Sequence, residues 1–307
     1  MLIPFGILSA AAAVIGRVGI AGYVAGGIEG STDVATVDKF AFPSDTRTTL
    51  GTGLSSARNT PAGMSNSGVA GYAGGGAASG SNVSTVDKFA FPGDTRTTLG
   101  TGLSAARRET GAFSNSAVAG YFAGGFDSAR TTTVDKFSFP ADTRSTLGTG
   151  ISDAVTYPGG MANYGVAGYA MGGGLPFIAS TTVDKFAFPS DTRSTLATGL
   201  SANSQGPGGF SNQAVAGYVL SVGDVTTTVN KFAFPSDTRT TLATGLSSAR
   251  QYVAGMSDSG IAGYGAGGGS VATVDKFAFP ADTRSTLGTG LSAARFTAAG
   301  FSNEGVF

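Results

Sequence analysis

Two charged phrases recur along the chain and are the first places to look for chemistry. One is the pair Asp38-Lys39, repeated as Asp87-Lys88 and at four further positions, with Asn230 replacing the aspartate in the fifth copy. The other is the triplet Asp45-Thr46-Arg47, repeated for example as Asp191-Thr192-Arg193. An adjacent carboxylate and ammonium would suit proton exchange, and an Asp with an Arg would suit a grip on a carboxylate or a sugar. The local pattern argues against both uses. In Val37-Asp38-Lys39-Phe40-Ala41-Phe42 the residue types alternate as on a strand, so Asp38 and Lys39 face opposite ways and cannot converge as a dyad. The triplet follows Pro43, where an aspartate is expected to accept turn amides while the arginine supports the next strand. Both phrases are therefore expected to be structural, and Asn230 fits a hydrogen-bonding position rather than a reactive one.

What is missing narrows the chemistry further. The 307 residues include no Cys, His or Trp, which removes the thiol nucleophile, the imidazole base, the disulfide framework and the usual zinc and copper ligands. Glycosidase chemistry needs two convergent carboxylates, and nearly every Asp here recurs in each copy, so no pair is singled out. Gly74-Gly75-Gly76 and Gly172-Gly173-Gly174 lack the following helix and the Lys-Ser/Thr of a phosphate loop and read as tight turns. No catalytic, cofactor-binding or metal-ligating residue is expected, and the chain reads as non-enzymatic. Its 19 basic and 19 acidic residues give no electrostatic footprint for nucleic acid. Despite 50 glycines, 41% of the residues are hydrophobic and 21 are Phe, a composition that folds rather than stays disordered.

The elements that carry these phrases follow from their spacing. Lys39, Lys88, Lys136, Lys185, Lys231 and Lys276 are separated by steps of 49, 48, 49, 46 and 45, a period that belongs to propeller blades or a solenoid. Four short strands fit into each copy. In the second they are expected at 57–65, 69–75, 84–91 and 96–103, with turn residues between them. Small residues in the first strand, as in Pro61-Ala62-Gly63, suit the crowded position nearest an axis, and paired Phe such as Phe40 and Phe42 are expected between neighbouring blades. The last copy stops where its second strand should begin, and Gly19-Ile20-Ala21-Gly22-Tyr23 matches Gly68-Val69-Ala70-Gly71-Tyr72. The two ends are thus expected to pair in one blade and close an all-β ring of six blades, removing its open edges.

The order of a Gly-Tyr, a glycine pair (Tyr23 then Gly26-Gly27; Tyr121 then Gly124-Gly125), an aromatic strand, a Thr-rich strand and an Arg (Arg58, Arg107, Arg250, Arg295) resembles the kelch family over about residues 18–307. Leu50 and its equivalents stand where the kelch Trp would be, and the fifth copy departs from the pattern at Val219-Leu220-Ser221-Val222 after Tyr218. This resemblance implies a kelch-like six-bladed β-propeller. The opening Met1-Leu2-Ile3-Pro4-Phe5-Gly6-Ile7-Leu8, joined to Asp-Lys-Phe repeats, is similar to bacteriophage repeat proteins, particularly marine ones. It implies a structural protein of the virion or phage tail, displayed on the particle surface and engaged in host attachment. A secreted, extracellular bacterial carbohydrate-binding propeller, a lectin or adhesin, is the alternative.

Binding residues are sought where the copies differ, since the repeat itself fixes the scaffold. Arg107, Arg108, Tyr157, Tyr164, Phe177 and Ile178 are the candidate surface contacts, with a host-surface glycan or protein as partner. Residues 1–17 form an apolar segment outside the propeller of 18–307. It has no basic residue before its apolar core, against a signal peptide, and Arg17 ends it short of the ~20 residues of a membrane span. Leu2, Ile3, Phe5, Ile7 and Leu8 are the candidate assembly-docking residues, packing on other virion or assembly subunits in a homo- or hetero-oligomer.

Overall fold

A computed structural model describes residues 20–303, so the expected docking residues Leu2, Ile3, Phe5, Ile7 and Leu8 lie outside the described residues. Among the described residues there is no helix; six antiparallel four-stranded sheets carry the fold. In the second blade the strands run outward from the axis as Ala62–Asn66, Ala70–Gly74, Val86–Ala90 and Thr95–Thr98. Met64 lies opposite Tyr72, Tyr72 opposite Lys88, and Phe89 opposite Arg96. The innermost strands of successive blades touch one another around a complete circle, which makes the molecule a six-bladed β-propeller. Closure is as expected from the ends: Ala299–Ser302 is the inner strand of the blade whose other strands are Ala21–Ala25, Val37–Ala41 and Thr46–Thr49, with Tyr23 opposite Phe301.

The sheets end sooner than the pattern suggests. The outer strand stops at Thr98, and the chain returns toward the axis as Gly-Thr-Gly-Leu, with the Leu103 amide bonded to the Ser84 carbonyl at 2.8 Å. A Cβ on Gly102 would lie 2.2 Å from that same carbonyl, so the crossing needs glycine, and Leu103 is buried beneath it. In the fifth copy, Ser221 adopts φ 59° where Gly75 has 64°. Its hydroxyl donates to the Arg250 carbonyl, and this bond holds the irregular turn.

Apolar burial is divided into six clusters, one at each blade interface. Phe40 and Phe42 leave their own blade and pack on Met256 and Tyr264 of the preceding one, with the Phe42 and Tyr264 ring centroids 4.7 Å apart. Each buried ring stabilises by roughly 1.5–3 kcal/mol, and because the pair recurs in every blade this term is what holds neighbours together. The axis limits side-chain size most severely. A Cβ on Gly160 would sit 1.7 Å from the Ala112 carbonyl oxygen and one on Gly255 1.7 Å from that of Gly209, so the inner strands meet backbone to backbone.

Candidate functional site

The two recurring charged phrases are used up in holding the ring together. Asp94, in the turn of the second blade, accepts the Tyr23 hydroxyl and the Lys39 ammonium of the first, both at 2.6 Å. The same clamp is built by Asp142, Asp191, Asp237, Asp282 and, across the closure, Asp45 with Tyr264 and Lys276 at 2.8 and 2.6 Å. The expectation that these aspartates serve their own turns is thus corrected. Each sits at φ of 55–58°, a left-handed conformation that Asp tolerates, and this turns its carboxylate toward the neighbouring blade. Burial first, then the bonded carboxylate, holds the tyrosine hydroxyls well above their ordinary pKa.

The aspartate of the other phrase points inward. Asp87 is fully buried and accepts the Ser55 amide and hydroxyl at 2.9 Å and the Thr98 hydroxyl at 2.7 Å. The Arg58 guanidinium lies 3.1 Å from it. Arg107, Arg250 and Arg295 pair in the same way with Asp135, Asp275 and Asp38. Burial pulls these guanidinium pKa values down against the opposing pull of each aspartate. Arg107, expected at the surface, is therefore a correction: it is 1% exposed and belongs to the scaffold.

What differs between blades collects at one end of the axis. Two residues before each inner strand stand Thr60, Glu109, Tyr157, Gly206, Tyr252 and Thr297, and all six line a cup of about 110 Å³. Its floor is formed by Gly63, Ala112, Gly160, Gly209, Gly255 and Gly300. Backbone bonds from Thr60 to Thr297 (3.0 Å), Tyr157 to Glu109 (2.6 Å), Gly206 to Tyr157 (3.2 Å) and Tyr252 to Gly206 (3.1 Å) join successive positions. Thr60, Tyr157, Tyr252 and Thr297 hold φ between 52° and 58°, a region that β-branched and bulky residues normally avoid. Such strain persists only where surrounding structure imposes it, and it concentrates at functional sites. The Tyr157 and Tyr252 rings meet with centroids 4.7 Å apart. They meet over Gly206, where a Cβ would lie 2.2 Å from the Tyr252 ring. Burial and the nearby Glu109 carboxylate raise both phenol pKa values. Glu109 pairs with Arg108 at 2.8 Å, and the Thr110 hydroxyl of the lining is buried without a hydrogen-bond partner.

Arg108 and the exposed loop carrying Phe177 and Ile178 lie at this same end, because both precede or follow the strand ends that frame the cup. Tyr164 lies at the other end, in the turn after the inner strand Gly159–Asn163. The candidate contact residues are thus divided over two faces. The Tyr164 face also carries an apolar ring that residue-by-residue reading overlooked. Val69, Val118, Val166, Val215 and Ile261, in five of the six blades, are each between 39% and 49% exposed, whereas the equivalent Ile20 is 6% exposed. Tyr252, Thr60, Gly206 and Thr297 were likewise not singled out by sequence. Aligning the copies by their lysines exposes both sets: the cup positions step by 49, 48, 49, 46 and 45, and the ring positions by 49, 48, 49 and 46.

No cluster of three or more acidic side chains able to hold a metal ion occurs among the described residues. No family model matches the chain, and no curated protein matches it.

Proposed function

We propose that this chain is a non-enzymatic structural protein of a virus particle, a kelch-like propeller that is fixed by one face and displays the other toward the host. The observation that carries this reading is the difference between the two faces. One bears an arc of exposed aliphatic side chains across five blades, Val69, Val118, Val166, Val215 and Ile261; the other bears the varied, strained residues of the cup. An exposed apolar arc of this regularity marks a contact surface, whereas variation on a fixed scaffold marks recognition. Ile20, the first described residue, corresponds to Val69 in the match of Ile20-Ala21-Gly22-Tyr23 to Val69-Ala70-Gly71-Tyr72. The first described residue therefore lies at the apolar face. Apart from Arg239, the aspartates, lysines and arginines of the two recurring phrases are committed to interblade and intrablade pairs, which suits a rigid display module.

The test is the triple variant Val118→Asp, Val166→Asp and Val215→Asp. All three side chains are half exposed, so the ring should fold and melt as the parent does, while incorporation into the particle is lost. Normal incorporation of the folded variant would overturn the docking role.

A further inference from the structure

The cup can be given a ligand class. Deepening the display role just proposed, we infer that the cup binds a single neutral pyranose unit, such as the terminal sugar of a surface glycan. Its volume of about 110 Å³ is below the roughly 300–1,000 Å³ of drug-sized ligand sites, which limits the occupant to a single small unit.

The lining selects among ligands. With centroids only 4.7 Å apart and planes inclined at 54°, Tyr157 and Tyr252 touch each other, leaving no gap between their faces for a cation to occupy; they present adjoining aromatic faces instead of a cage. No Lys or Arg lines the cup, and Arg108 beside it is already paired with Glu109 at 2.8 Å, so no free positive charge balances a phosphate or carboxylate. A pyranose answers both constraints. Its C–H face covers one of these aromatic faces, removing apolar area from water. Its edge hydroxyls donate to the Glu109 carboxylate and reach Thr110, whose hydroxyl is buried without a partner. A polar group left unpaired there is costly and becomes satisfied when a hydroxyl arrives. The strained left-handed backbone at Thr60, Tyr157, Tyr252 and Thr297 fixes these groups before the ligand binds, which lowers the ordering cost of association.

Saturation-transfer NMR on the full chain, with the methyl glycosides of glucose, galactose, mannose and N-acetylglucosamine and with sialic acid as probes, tests the assignment. At least one neutral glycoside should bind and sialic acid should not. Tyr157→Ala and Tyr252→Ala should each weaken binding by about ten-fold or more, Glu109→Gln should weaken it, and Tyr157→Phe, which keeps the aromatic face, should retain it. Tyr164→Ala, on the opposite face, should change nothing. Failure of every neutral glycoside to bind overturns the inference, as does binding that survives Tyr157→Ala, or binding of a tetramethylammonium probe alone. Since this is read on the isolated protein, its failure leaves the apolar-ring test of docking standing.

Discussion

Removing one half of a buried ion pair and then the other gives the most informative perturbation of the ring. Arg58 is fully buried, with its guanidinium 3.1 Å from Asp87 and donating to the Ala73 carbonyl at 2.9 Å. Arg58→Ser leaves the Asp87 charge inside the protein, a change that costs about 3–5 kcal/mol in buried pairs. Asp87 keeps its bonds to Ser55 and Thr98 and has Arg96 at 3.7 Å, so the lower end, about 3 kcal/mol, is expected. The fifth blade already carries both replacements. Ser204 stands at the arginine position and Asn230 at the aspartate, with Asn230 bonded to the Ser201 amide and hydroxyl at 2.9 Å and to the Thr241 hydroxyl at 3.0 Å. Arg58→Ser combined with Asp87→Asn should therefore cost about as much as either change alone, a coupling of about 3 kcal/mol. Urea unfolding of the parent, the two single variants and the double variant measures this directly. Losses that simply add, to within about 0.5 kcal/mol, would refute the claim that the pair is balanced as a unit.

Three further outcomes follow from the same contacts. In the fourth blade Val155 replaces the arginine and lines, with Asp184, a small space of about 10 Å³; Val155→Arg should pair with Asp184 as Arg58 does with Asp87 and raise the melting temperature, whereas a lower value would contradict that equivalence. Gly160→Ala should abolish soluble expression or destabilise by several kcal/mol, because its Cβ would meet the Ala112 carbonyl at 1.7 Å, a clash beyond the ~1–3 kcal/mol of ordinary overpacking; Gly148→Ala, with nothing within 4 Å, is the neutral control. The six clamp tyrosines have pKa values raised above 10.0, so the unfolded chain releases these protons first: stability should be fully present below pH 10 and fall as pH rises above it. Absorbance at alkaline pH should show their phenolates appearing only with unfolding, and reversible ionisation in the intact fold would disprove the clamp.

Much of the architecture was legible because it is written six times. The lysine spacing, the alternation around Phe40 and Phe42, and the match of Ile20-Ala21-Gly22-Tyr23 to the second copy point to the blade interfaces and the closing strand that the structure shows. The partners of the charges were not legible. Asp45 bonds Tyr264 and Lys276, 219 and 231 residues away, a distance that only ring closure bridges, so local turn chemistry gave the wrong partner. Arg107 stands in Arg107-Arg108-Glu109, a stretch that differs between copies and so reads as a surface loop, yet it is buried on Asp135 of its own blade. The cup was half visible, through Tyr157, but Tyr252 and Gly206 matter only once the sixth and fifth blades are brought beside the fourth. The apolar ring was hidden by its own regularity, since a valine or isoleucine repeated in every copy reads as scaffold until its exposure is seen.

Electron cryo-microscopy of the particle that carries this protein tests the central claim most directly. The account predicts Val69, Val118, Val166, Val215 and Ile261 buried against a neighbouring subunit, with residues 1–17 in the same contact and the cup of Glu109, Tyr157 and Tyr252 open to solvent. A propeller whose apolar ring faces water, or whose cup is sealed against the particle, would contradict it.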